Sequence, residues 1–117
     1  MSSNEVAVAI RKIDAGKGHI TIKQRSMGCS NTMFVNFWNC PEGVSGAEHE
    51  NNRMMFSISG FDKNDQDAKA DRLRLALDVS VFPRDRNFRA KNAKPETLMP
   101  FLVQFIESIA KDFEPNL

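Results

Sequence analysis

The sequence predicts an α+β fold, a mostly antiparallel five-stranded meander sheet with one C-terminal amphipathic helix packed on one face. Two segments carry most of that expectation. In Arg72 to Phe82, RLRLALDVSVF, period-two alternation sets Leu73, Leu75, Leu77, Val79 and Val81 on one side, and Arg72, Arg74, Ala76, Asp78 and Ser80 on the other. From Thr97 to Phe113 the period becomes 3.6. Leu98, Phe101, Leu102, Phe105, Ile106, Ile109 and Phe113 form one stripe, with Gln104, Glu107, Ser108, Lys111 and Asp112 opposite. A third observation is that the remaining apolar runs are short, alternate, and are separated by turn chemistry.

Taken in order, Val6 to Ile13 reads as a first strand with Val6, Val8 and Ile10 on one face. Asp14 to Gly18, DAGKG, supplies a hairpin turn, and His19 to Arg25 alternates again with Ile20 and Ile22 inward. After the loop MGCSNT, Met33 to Cys40 forms a third strand. Met33, Val35 and Phe37 share one face; Phe34, Asn36, Trp38 and Cys40 share the other. Pro41 ends it, and residues 41 to 52 are polar and aperiodic, as in a surface loop. Arg53 to Phe61 is a fourth strand with Met54, Phe56 and Ile58 inward and Met55, Ser57, Ser59 and Phe61 outward, and Gly60 marks a bulge. Residues 62 to 71 form a charged connection to the strand that starts at Arg72. Residues 83 to 94 form a basic loop, and Pro95 or Pro100 opens the helix that Pro115 stops.

A chain of 117 residues is one domain, large enough to bury a core without metal or disulfides. Hydrophobic residues make up 41% and charged residues 26%, a globular composition. The net charge of +1 excludes a global field toward nucleic acid or membrane, but the charge is segregated. Residues 1 to 26 carry five Lys/Arg against two acids, and residues 72 to 94 carry seven against two. These two blocks matter if the fold gathers them on one surface. The N-terminal apolar run is too short for a signal peptide, and no run approaches a membrane span, so cytoplasmic residence with Cys29 and Cys40 as free thiols is expected.

With the helix on the face of Leu73 and its alternates, the opposite face collects cations, hydrogen-bonding groups and aromatics. The functional expectation is a non-enzymatic module that binds single-stranded nucleic acid through this open face and the basic loop. Lys23, Arg25, Arg72, Arg74, Arg84, Arg86 and Arg89 are the expected phosphate contacts, and Phe34 and Trp38 the expected stacking residues. In architecture, strands followed by a helix, the chain resembles small single-stranded-DNA-binding proteins of the Whirly type, which implies binding as an oligomer. The rival expectation is a protein-interaction module or small inhibitor of phage or plasmid type, docking a protein partner or a second copy, as a homodimer, through the same aromatic residues. Lys and Arg on a solvated strand also serve solubility alone.

No catalytic signature emerges. His19 and His49 have no carboxylate or nucleophile at a local spacing, and the two cysteines make no zinc pattern. Asp62, Asn64, Asp65 and Asp67 fail the calcium-loop pattern, lacking Gly at the sixth and Glu at the twelfth position counted from Asp62. No cofactor or metal is expected.

Overall fold

The computed structural model describes residues 1–43, 53–78 and 90–112. Five antiparallel strands lie in the spatial order of the sequence: β1 (His19–Met27), β2 (Ser30–Trp38), β3 (Arg53–Phe61), β4 (Leu73–Asp78) and β5 (Lys91–Ala93). Helix α1 (Ser3–Arg11) precedes the sheet, and α2 (Pro95–Asp112) follows it. The five-stranded meander with a C-terminal helix is as predicted. Its strands are not all the predicted ones: the first element is a helix, and the fifth strand is Lys91–Ala93, within the segment read as a basic loop, where pairing to β4 extends the sheet by three residues.

The segment expected as the first strand, Val6 to Ile13, is helical up to Arg11. Ser2 is the N-cap: its hydroxyl accepts from the Glu5 backbone N–H, while the Glu5 carboxylate accepts from the Ser2 N–H, both at 3.2 Å. This capping box, S-x-x-E, satisfies two backbone donors that a helix start leaves open. Val6, Ala7, Ile10 and Ile13 then follow one helical stripe into the core, whereas Val8, in step with Val6 and Ile10 at period two, is 50% exposed. Asp14 to Gly18 is accordingly a helix-to-strand connection, not a hairpin turn. The first hairpin joins β1 to β2 instead, with Gly28 at φ 69° beginning a two-residue turn over Gly28 and Cys29.

Both helices lie on one side of the sheet. Val6 and Ile10 of α1, and Leu98, Met99, Leu102 and Ile106 of α2, share one core with Met33, Val35, Phe37, Met54, Phe56, Ile58, Leu73 and Leu75. At about 1.5–3 kcal/mol for each large apolar side chain fully buried, this cover is the main stabilising term. Ile20, Ile22 and Leu77 pack at its margin, on the face predicted for them. Lys91 sits opposite Leu75, and its ammonium lies 4.5 Å from the Phe101 ring centroid, on the helix side of β5. Of the long strand and basic loop read from Arg72 onward, residues 79–89 lie outside the described residues, as does Phe113.

Phe61 was expected outward and is buried, at 2% exposure. Asn31 pairs with Phe61 but Thr32 pairs with Ser59, so Gly60 is the extra residue of a bulge. The bulge resets the alternation and turns Phe61 inward. Gly60 has φ 114°, and a Cβ there would stand 2.7 Å from the Arg72 carbonyl oxygen. Only glycine fits both demands.

The charged connection 62–71 is held by its own carboxylates. Asp62 accepts from the N–H groups of Asn64 and Asp65, and Asp65 from that of Asp67. The connection in turn receives α1: the Asn4 N–H and the Ser3 hydroxyl donate to the Gln66 carbonyl, and Lys69 pairs with Glu5.

Gly60→Ala should lower stability by roughly 1–3 kcal/mol, the usual cost of a strained backbone position, read from the urea midpoint. An unchanged midpoint would contradict the close approach. The Lys69 ammonium, helped by the Ser2 N–H, holds the Glu5 carboxyl at about 2 against an ordinary 4.5. A lowered folded-state value contributes stability above the unfolded value that is lost as pH falls. Wild-type stability should therefore fall between about pH 4.5 and pH 2. Lys69→Met should make that fall shallower in acid titrations of the unfolding midpoint.

Candidate functional site

The sheet face away from the helices is ordered by register into rows. Arg25, Thr32, Ser59 and Arg74 form one row across β1 to β4, and Asn92 of β5 extends it. The next row is Lys23, Phe34, Ser57 and Ala76; then Thr21, Asn36, Met55 and Asp78; then His19, Trp38 and Arg53. At about 4.8 Å per strand interval, the backbones of Arg25 and Arg74 stand roughly 14 Å apart with two hydroxyl residues between them.

Between the rows on β1 to β3 lies an open concavity of about 570 Å³, lined by Thr21, Ile22, Lys23, Arg25, Phe34, Asn36, Trp38, Arg53 and Met55. Three of these nine residues are cationic and none is acidic. Lys23, Arg25 and Arg74 are exposed, so their charges face water and any ligand. Phe34 and Met55 are half-buried and supply an apolar floor.

Trp38 closes one end. It was expected to offer a stacking surface, but it is 6% exposed because its neighbours already use the indole. The His19 ring stacks on it at 5.9 Å and 10°, the Arg53 guanidinium carbon lies 5.6 Å from its centroid, and its Nε1–H donates to the Thr21 hydroxyl at 2.9 Å. Arg53 also donates from Nη1 to the Asn36 carbonyl oxygen at 3.2 Å. The stacking surface left open on this face is Phe34.

Arg72 is exposed just before β4, and its Nη2 donates to the Asn92 carbonyl at 2.9 Å, tying the start of β4 to β5. Arg84, Arg86 and Arg89 lie outside the described residues. Arg53 was not among the predicted contacts, although it shares the parity of Met55, Ser57 and Ser59 and so belongs on their face. Cys29 is an exposed turn residue, whereas Cys40 is buried beside Trp38, which pushes its thiol pKa up. Among the described residues, no three His, Cys, Asp or Glu side chains converge on a metal position, and no helix is long and apolar enough to cross a membrane. Comparison with known proteins finds no matching family model, curated protein or solved structure.

The Trp38 cluster makes a stability prediction. Thr21→Val keeps the shape but removes the acceptor of the indole N–H, and leaving a buried donor unpaired costs about 1–3 kcal/mol. Urea unfolding followed by Trp38 emission measures it. A loss well below that range would mean that water replaces the threonine hydroxyl.

Proposed function

We propose that this chain is a non-enzymatic binding module that holds single-stranded nucleic acid across the open face of its sheet. The observation that carries this reading is the concavity lined by Lys23, Arg25 and Arg53 and, among the described residues, by no acid, with Arg74 in the same row as Arg25. Exposed guanidinium and ammonium groups meet phosphates, and Phe34 between them presents a ring face to a base. Ser59, between the two arginines, adds a neutral hydrogen-bonding group along the same track, while Thr32 beside it is buried. A duplex is a poorer fit, because the contacts combine a stacking ring with cations rather than an element shaped to enter a groove. Arg84, Arg86 and Arg89 belong to the same proposal as further phosphate contacts.

Anisotropy of a labelled single-stranded oligonucleotide tests it. Binding should weaken steeply with salt, with a log–log slope of roughly −3 if Lys23, Arg25, Arg53 and Arg74 each neutralise a phosphate at about −0.7 apiece. Arg25→Glu combined with Arg74→Glu should weaken binding at least about tenfold, since it reverses two of those contacts. Absence of binding at low salt would sink the proposal. Light scattering on the same samples tests the rival reading, in which Phe34 and Met55 seat a second copy. A dimer broken by Phe34→Ala, without oligonucleotide binding, would establish that reading instead.

A further inference from the structure

We infer that the free edge of β1 is a docking strand for an extended acidic peptide, which adds to the sheet antiparallel to β1. The turn at Gly28 and Cys29 closes Met27 onto Ser30, and pairing runs from there to His19 opposite Trp38 without a shift of register. In an antiparallel ladder, directly opposite residues exchange both backbone bonds at every second pair. The odd-numbered residues of β1 are therefore bonded to β2, while Ile20, Ile22, Gln24 and Ser26 turn their N–H and C=O groups away from the sheet. Among the described residues no backbone partner takes these groups. Such a row is a template for another strand. The opposite edge of the sheet, β5, is three residues long and offers no comparable row.

Alternation fixes what the added strand must carry. On the helix side, Ile20 and Ile22 are only partly buried at the margin of the core, so apolar side chains opposite them complete their cover. On the open side stand Lys23 and Arg25, both exposed. No Asp or Glu occurs between Asp14 and Glu42, so neither cation has an acid on its own hairpin. Read antiparallel to β1, the fitting segment has an acid opposite Arg25, an acid opposite Lys23, and apolar residues opposite Ile22 and Ile20. Main-chain bonds to the edge supply affinity, and these alternate side chains supply specificity. A second copy of this chain fits worse, because pairing β1 with itself brings Lys23 and Arg25 of both copies to one seam with no acid to meet them. Nucleic acid has neither the backbone of a β-strand nor apolar side chains for Ile20 and Ile22. The docking edge is thus a different surface from the phosphate track proposed above, although it shares Lys23 and Arg25 with it.

The probe is a capped, labelled peptide, Glu-Thr-Glu-Val-Thr-Val, added to the wild-type protein without nucleic acid. On saturation, hydrogen exchange should slow at the Ile20, Ile22 and Gln24 amides and stay unchanged at Thr21 and Lys23, whose amides are already bonded to β2. N-methylation of the first valine, opposite Ile22, removes a bond to β1 and should weaken binding at least about tenfold by anisotropy. N-methylation of the second glutamate, whose N–H points away from β1, should change it by less than about twofold. Lys23→Glu combined with Arg25→Glu should lose this peptide and gain the one in which lysine replaces both glutamates. Equal effects of the two methyl groups, or no binding at low salt, would overturn the inference. So would a dimer by light scattering whose Ile20, Ile22 and Gln24 amides are protected without peptide, which would give the edge to a second copy. Should the double variant fail to fold, as judged by Trp38 emission, the two methylated peptides on the wild-type protein decide the matter. None of these outcomes bears on the nucleic-acid reading, which the oligonucleotide titration tests separately.

Discussion

Two helices on one face of the meander are the constraint from which the remaining structure follows. Met33, Val35 and Phe37 on β2, Met54, Phe56 and Ile58 on β3, and Leu73 and Leu75 on β4 all turn the same way. Register allows no half measures: a slip of one residue would turn these apolar groups outward and bring such residues as Asn36, Ser57 and Arg74 toward the helices. Once α1 and α2 cover that side, Lys23, Arg25, Arg53 and Arg74 share the other. The cations are neighbours because their apolar alternates are neighbours in the core.

The open face has its own internal order. Trp38 on the solvent side of a sheet would normally expose a large ring, yet His19 and Arg53 on the flanking strands sit against it, and Thr21 takes its N–H. Each partner is placed by pairing across the strands, His19 and Arg53 directly opposite Trp38 and Thr21 one row away. The cluster uses the one tryptophan as a post to which a guanidinium is fixed. It also divides the face into a rigid end at Arg53 and a more solvated end at Arg25 and Arg74, where water screens the charges and leaves the long side chains free to follow a ligand.

Much of the fold was legible in the sequence because period two and period 3.6 are direct consequences of backbone geometry. β3 was readable to the residue, β1 and β2 closely, and α2 to within two residues at its start. Val6 to Ile13 was misread because Val6, Val8 and Ile10 alternate while Val6, Ile10 and Ile13 also keep a helical stripe. Ser2 and Glu5, at capping-box spacing just upstream, were the signal that separates the two. Phe61 departs from the expected outward position because one extra residue at Gly60 reverses parity, so the same bulge that the glycine signals turns the next side chain inward. In the candidate site Lys23, Arg25, Phe34 and Arg74 were readable from alternation alone. Arg53 has the same parity, but its position at a strand end beside a polar loop gives no separate sequence signal.

The sequence by itself determined which residues share a face along each regular stretch of strand, because that is a local property of the pleat, one that the bulge at Gly60 interrupts. It also determined that a C-terminal amphipathic helix must find an apolar surface. Which strands neighbour one another, that α1 joins α2 on the same side, and that Trp38 is spent on His19, Arg53 and Thr21 were decided only in the tertiary structure. These depend on contacts between residues far apart in the chain, whose pairing no local period encodes.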